Sequence, residues 1–271
     1  MFTYFSTFIT GLNEVVSDAL KKSVSSVRIE QILDGLIVYK TNVNPRQIRE
    51  LRFFNNSFVL LETVRGNVSD DTLKKLVDKV TGVKIQIPVE KRTSFRIMFS
   101  KENQPVSVEP KILQSLEKKF ASKDLSVNRT SSGVELLFLA RSDGYGFFGL
   151  RLTRHGDYKK TLHPGELRPE LANLLCCLSD PTQDDVFLDP FAGYGAIPIE
   201  RAVSFPYKRI YAGDIVPNLV SELKQKASKL GKRFIIGQLD ATKLNTFSDS
   251  SISKIVTDPP WGIYSSGKNF D

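Results

Sequence analysis

The apolar positions of this chain change period several times, and each change marks an element. Phe2 to Phe8 alternates as a strand, after which Leu12, Val15, Val16, Ala19 and Leu20 recur at helical spacing. Strands are expected at Val27 to Ile32 and Leu36 to Tyr39, with Asp34-Gly35 between them as a hairpin turn. A short helix near Pro45 to Arg49, a strand at Phe58 to Glu62, and a helix carrying Leu73, Leu76, Val77 and Val80 complete an α+β pattern. A second group opens at Phe95 to Phe99. The helix of Ile112, Leu113, Leu116 and Phe120 comes next, then strands near Leu125 to Asn128, Val134 to Ala140 and Phe147 to Leu152, the last two joined by Ser142-Asp143-Gly144. Phe147 and Phe148 are candidates for stacking on bases, but strand side chains alternate faces, so at least one of them is expected in the core. Leu171, Leu174, Leu175 and Leu178 mark a further helix. Four short apolar runs then read as buried strands: Val186 to Leu188, Arg209 to Tyr211, Arg233 to Ile236, and Ile255-Val256.

The ends of these four strands hold the candidate chemistry. Asp189-Pro190-Phe191-Ala192-Gly193-Tyr194-Gly195 follows the first, and Ala196, Ile199, Ala202 and Val203 continue as a helix face, giving strand, glycine turn, helix. Gly193 and Gly195 let the backbone approach a ligand where a Cβ would clash. Asp214 closes the second strand, roughly twenty residues beyond the turn, where an acidic residue accepts hydrogen bonds from ribose hydroxyls. Asp240 follows the third strand and is a candidate acceptor for an adenine amino group, with Leu239 or Ala241 covering the ring. A dinucleotide site would want a fuller three-glycine turn, and Pro198 sits where its early helix amides are needed. The reading is a pocket for an adenosine-containing cofactor, S-adenosylmethionine.

The fourth strand ends in Thr257-Asp258-Pro259-Pro260-Trp261-Gly262. An exocyclic base amine shares its lone pair with the ring and is a poor nucleophile. Oriented acceptors favour its tetrahedral form, and the Asp258 carboxylate with a main-chain carbonyl beside the prolines can each take an N–H bond. Pro259 and Pro260 stiffen the loop and remove competing amide donors. Trp261 offers a face for a splayed-out base. The expected reaction is methyl transfer to a base nitrogen, needing neither a metal nor a covalent nucleophile.

The phrase from Asp189 to Glu200, the Asp-Pro-Pro-Trp-Gly motif, and Leu162-His163-Pro164-Gly165-Glu166-Leu167-Arg168-Pro169 resemble the THUMP-domain tRNA guanine-N2 methyltransferases. The resemblance implies an α/β, Rossmann-like methyltransferase domain preceded by α+β ferredoxin-like and THUMP-like parts. The expected division is 1–88 ferredoxin-like, 89–154 THUMP-like, 155–180 linker and first helix, and 181–271 a partial methyltransferase domain. It also implies that Asp189, Phe191, Ala192, Gly193 and Gly195 shape the cofactor turn. Asp214 would hold the ribose, Asp240 and Ala241 the adenine, and Asp258 to Trp261 the target guanine, while His163, Leu167 and Arg168 close over the cofactor's methionine end. The implied partner is tRNA, with ribosomal RNA as a second substrate class. An activating subunit, which some relatives require, is left open. The alternatives are an N6-adenine DNA methyltransferase and a non-catalytic RNA-binding protein or subunit.

Composition adds two points. The net charge is +8, and the stretch from Lys91 to Lys160 carries fourteen Lys or Arg against seven Asp or Glu, so it holds nearly all the excess and predicts a polyanion-binding face. The candidates there are Lys91, Arg92, Arg96, Lys118, Lys119, Arg151 and Arg154. Cys176 and Cys177 are adjacent and suit a reducing cytoplasm better than a disulfide or zinc site, and His155 and His163 lack partners at ligand spacing, so no metal site is expected. No long uncharged apolar span is present, so no membrane helix is expected, and Met1 to Thr10 reads as a strand rather than a signal peptide.

One expectation concerns completeness. A full methyltransferase of this class has seven strands, and only four are found before Asp271. Truncation, completion by a second polypeptide, and a non-catalytic remnant would each account for this. Truncation is preferred because the motifs are undamaged.

Overall fold

The computed structural model describes residues 1–89, 92–153 and 162–260. The chain divides into two compact units, Met1–Asn13 with Leu20–His155, and Glu14–Ala19 with Gly156–Asp271. In chain order the first elements are β1 (Phe2–Thr7), α1 (Asn13–Ser23), β2 (Arg28–Leu33), β3 (Leu36–Thr41), α2 (Pro45–Arg49), β4 (Asn56–Arg65) and α3 (Ser69–Gly82). Then come β5 (Thr93–Lys101), β6 (Gln104–Pro105), α4 (Pro110–Phe120), β7 (Leu125–Val127), β8 (Val134–Ala140) and β9 (Tyr145–Arg151). Local chemistry fits these bounds: Pro45 opens α2 and the Asn44 side chain accepts from Gln47 N at 3.1 Å, a helix cap.

Among the described residues, the nine strands of this unit form one sheet, ordered β2-β3-β1-β4-β9-β8-β5-β6 with β7 paired to β5. The join is β4 against β9, antiparallel from Phe58↔Arg151 to Arg65↔Tyr145, so strands from 1–88 and 89–154 share a continuous ladder. Helix α3 packs on β4, β8 and β9 and buries Leu73, Leu76 and Val80. Both faces of β9 are covered. Phe147 stacks on Phe5 at 5.3 Å, while Phe148 meets Phe138 at 4.4 Å and Phe120 at 5.5 Å. Their exposures are 1% and 0%, so neither phenylalanine is presented to a base: alternation sends them to opposite faces, and each face has its own core.

The second unit contains α5 (Pro169–Leu178), β10 (Val186–Asp189), α6 (Ala196–Ser204), β11 (Arg209–Asp214), α7 (Pro217–Lys226), β12 (Phe234–Gln238) and β13 (Lys254–Ile255). The four strands are parallel in the order β12-β11-β10-β13, as in Rossmann-like sheets. Cys176, Phe187, Ile197, Ile210, Leu223 and Phe234 fill the core between sheet and helices. Asp189 and Asp214 are the last residues of β10 and β11, while Asp240 and Asp258 follow the ends of β12 and β13. All four carboxylates therefore sit at the carboxyl edge of a parallel sheet, where such folds bind ligands. Among the described residues no helix is long and apolar enough to cross a membrane.

Candidate active site at the strand ends

The glycine turn is fastened to β11 at two points. Ala192 N donates to Gly213 O at 2.8 Å, and Gly193 N donates to Asp214 Oδ2 at 3.0 Å. Val216 N donates to Asp214 Oδ1 at 3.0 Å, which orients the carboxylate and leaves each oxygen a further lone-pair direction for a diol. Gly193 (φ 52°) and Gly195 (φ 91°) adopt the left-handed region for different ends. A Cβ on Gly193 would meet nothing within 4 Å, so the turn faces open space there. A Cβ on Gly195 would press on the ends of the Leu223 and Ile199 side chains, and its φ of 91° is one that L side chains rarely adopt, so glycine is favoured there mainly by backbone conformation. Pro198 occupies the third position of α6 and removes an amide from its first turn, which suits a ribose better than a diphosphate.

The third acidic residue is partly committed to its own loop. Asp240 Oδ1 accepts from Thr242 N at 3.0 Å and Thr242 Oγ1 at 2.6 Å, and these bonds hold its carboxyl below the usual range. Oδ2 lies 3.7 Å from Lys243 Nζ. Leu239 packs over Gly213, where a Cβ would collide with it, and its amide donates to Asp214 O at 3.1 Å. Ile215, just after Asp214, is 58% exposed. This apolar side chain was not singled out from the sequence, although its place beside the ribose acceptor was the available signal.

Asp189 is the buried centre of the site, with 1% exposure. Its Oδ1 accepts from Phe191 N at 3.2 Å and from Thr257 Oγ1 at 2.8 Å. Burial pushes its carboxyl up to about 7, the hydrogen bonds from Thr257 and Phe191 oppose the rise, and the Asp214 and Asp258 charges add to it. The structure thus brings Asp189, Asp214 and Asp258 into one electrostatic neighbourhood. Trp261 lies outside the described residues.

Ahead of α5, the segment Leu162 to Arg168 meets the turn through Tyr194. The His163 ring stacks on Tyr194 with centroids 4.1 Å apart and planes at 4°, and Lys226 Nζ stands 5.0 Å from the same ring. Glu166 links the two, accepting from His163 N at 3.0 Å and from Lys226 Nζ at 2.9 Å. Leu167 packs on the core, and Arg168 reaches Glu170 at 3.4 Å. Tyr194 and Lys226 were not singled out from the sequence and Glu166 only as part of the segment from His163 to Arg168, though a residue flanked by two turn glycines was bound to project from the loop.

Residues 156–269 match the model of the UPF0020 family, described as an RMKL-like methyltransferase domain. This part of the chain is similar to the methyltransferase domain that model describes. Among curated relatives, the chain is 34% identical over 105 residues to a tRNA (guanine(10)-N2)-dimethyltransferase of Methanothermobacter thermautotrophicus, covering 38% of this chain and 30% of that protein. It is 32% identical over 148 residues to the human tRNA (guanine(6)-N(2))-methyltransferase THUMP3, covering 49% of this chain and 29% of that protein. The matched part thus spans less than a third of the length of these two relatives. The crystal structure of TrmN from Thermus thermophilus superposes with a TM-score of 0.70 at 22% identity, covering 97% of this chain and 80% of TrmN, a likeness of fold.

The UPF0020 match begins beyond all seven cations singled out for nucleic-acid contact, which lie in the first unit. Arg92, Lys118 and Lys119 are exposed there, Lys119 donating to Thr81 O at 2.9 Å. Lys91 and Arg154 lie outside the described residues. Arg96 and Arg151 both pair with Glu135, a 5%-exposed carboxylate that burial would neutralise and the two guanidiniums hold below its usual range. Much of their charge is therefore spent inside the protein. Arg46 and Arg49 of α2, outside the basic segment, line a cavity of about 520 Å³ with Arg151, Glu135, Pro88 and Leu152.

The raised Asp189 carboxyl bears on the stability of the second unit. Its folded pKa stands above the ordinary value near 4, so its stabilising contribution is full below that value and is lost as pH rises through about 7. Asp189→Asn cannot ionise. Its stability relative to wild type should improve steadily between about pH 4 and 7, by at most about 4 kcal/mol, and stay level above. Denaturant midpoints of both proteins across that range check the slope. A constant difference would show that Asp189 is ionised throughout.

Proposed function

We propose that the protein is an S-adenosylmethionine-dependent RNA methyltransferase acting on the N2 amine of a guanosine in tRNA. The observation that carries this reading is the meeting of the glycine turn and Thr257, the residue before Asp258-Pro259-Pro260, at one buried carboxylate, Asp189. The open side of Gly193, the two-sided Asp214 carboxylate and the apolar Ile215 fit an adenosine with its ribose diol. When bound, the cofactor supplies an electrophilic methyl group on a sulfonium. The chain's own part is to orient the amine: the Asp258 carboxylate takes one N–H, a carbonyl beside the prolines takes the other, and the lone pair points towards the glycine turn. As the amine becomes cationic, Asp258 offsets the developing charge. The guanine and tRNA assignments draw on the names of the matched relatives.

Residues 1–88 and 89–154 act in this reading as ferredoxin-like and THUMP-like RNA-holding parts, in a cytoplasmic protein. Their regional charge supports polyanion binding. Arg46 and Arg49 line the same cavity as Arg151 and add two cations beside it, which suits a phosphate. The double change Arg46→Glu with Arg49→Glu should weaken tRNA binding at least tenfold and lower the slope of log affinity against log salt by about one or two. Binding of S-adenosylhomocysteine should stay unchanged. Unchanged tRNA affinity would remove these arginines from the interface.

The decisive test is incubation with methyl-labelled cofactor and total tRNA, followed by nucleoside analysis. Label in N2-methylguanosine is expected. Label confined to N6-methyladenosine would reject the guanine assignment, and tRNA binding without cofactor binding would favour a non-catalytic module.

A further inference from the structure

Two prolines follow Asp258, so the loop that presents the amine acceptors lacks amide donors at 259 and 260 and cannot anchor itself there. Its placement has to be set upstream. The β10–β13 ladder is short, pairing Phe187↔Lys254 and Leu188↔Ile255, with Val256 N donating to Leu188 O at 3.3 Å. One residue later the Thr257 hydroxyl donates to Asp189 Oδ1 at 2.8 Å, across 68 positions of sequence. The same oxygen accepts from Phe191 N, the amide that starts the glycine turn. A single buried atom therefore ties the cofactor turn to the residue before Asp258.

We infer that Thr257 is a positioning residue whose hydroxyl, through Asp189, fixes the separation between the cofactor seat and the amine-holding Asp258-Pro259-Pro260 segment. This rests on the methyltransferase reading above. Methyl transfer is sensitive to that separation, since a displacement of about 1 Å at a reacting pair can cost about 100-fold in rate. Valine has nearly the shape of threonine but no hydroxyl, and serine restores the donor with less bulk. Neither Asp258 nor the turn glycines are altered by these changes, so both half-sites remain while their link is cut or kept.

The experiment compares wild type, Thr257→Val and Thr257→Ser in the whole protein. Thr257→Val should lower kcat about 10- to 100-fold. KM for tRNA and the calorimetric Kd for S-adenosylhomocysteine should stay within about threefold, and Thr257→Ser should recover most of the rate. A Thr257→Val rate within about threefold of wild type would overturn the inference, as would a serine variant no better than valine or a matching loss of S-adenosylhomocysteine affinity. Trp261 is the chain's one tryptophan and adjoins Pro260, which gives a readout independent of the RNA substrate. If wild type binds S-adenosylhomocysteine but methylates no tRNA, the substrate reading alone fails. The link is then judged by emission: a ligand-induced change in wild type and serine that is lost in valine supports it, whereas no change, or an equal change in all three, overturns it. Absence of S-adenosylhomocysteine binding in wild type removes the cofactor reading and this inference together.

Discussion

Replacing Asp258 by alanine is expected to reduce kcat by about 100- to 1000-fold while leaving the Kd for S-adenosylhomocysteine within about threefold. The magnitude follows from the role proposed for the side chain. An amine conjugated with a purine has to be rehybridised before it can attack, and an oriented acceptor that strengthens as positive charge develops contributes to the transition state rather than to binding. Two to three decades in rate correspond to about 3–4 kcal/mol, the usual loss for one oriented electrostatic partner in an enclosed site. Asp258 is partly buried and near enough to raise the Asp189 carboxyl, so its charge is felt inside the pocket rather than screened by bulk water. Asp258→Asn separates orientation from charge, because it keeps one acceptor and loses the negative charge. It should fall between wild type and alanine. An alanine variant within tenfold of wild-type kcat would exclude Asp258 as the amine acceptor. A parallel loss of S-adenosylhomocysteine affinity would assign it to the cofactor instead.

The strand ends were legible in the sequence because the signals are local. The run Val186-Phe187-Leu188 followed by Asp189 and two glycines can scarcely be anything but strand and turn, and the hairpin at Asp34-Gly35 announced β2 and β3 in the same way. Helix α7 was missed because Leu219, Val220 and Leu223 lie among lysine, glutamine, glutamate and asparagine, too sparse a stripe to stand out. The continuous nine-stranded sheet was invisible for another reason. It depends on β4 meeting β9, with Phe58 paired to Arg151 and Arg65 to Tyr145, and periodicity reports which face of a strand is apolar, not which strand lies beside it. Charge suffered the same limit. Arg96 and Arg151 counted as free cations in the sequence, yet both converge on Glu135, 39 and 16 positions away. The Thr257–Asp189 bond spans 68 positions, so the motifs could be found separately while the atom that joins them could not.

Arg201→Ala is expected to destabilise the protein by about 3–5 kcal/mol, the largest stability change among the substitutions considered. Arg201 lies on α6, the helix that begins at the glycine turn, and its side chain is 0% exposed. The guanidinium donates to Asp185 Oδ2 at 2.8 Å, to Pro206 O at 2.6 Å and to Thr182 O at 3.3 Å, closing the loops before β10 and after α6 around one charge. Phe187 and Phe205 stand 5.7 and 5.8 Å from it. Asp185 is itself 3% exposed, and its carboxyl is held below the usual range: burial works against the charge, while hydrogen bonds from Thr182 and Arg201 overcome it. Removing the arginine would strand that carboxylate in a dry setting and leave two carbonyls short of donors, costs that add to the cavity. Arg201→Met fills the space without the charge. Pairing it with Asp185→Asn should recover a large part of the loss, because the uncompensated anion is gone. Chemical denaturation of the single and double variants measures this. A double variant as unstable as Arg201→Ala would show that lost carbonyl bonds, not the buried anion, dominate. Because the damage lies at the amino end of β10, away from Asp214 and Asp258, the folded fraction of each variant should keep wild-type affinity for S-adenosylhomocysteine.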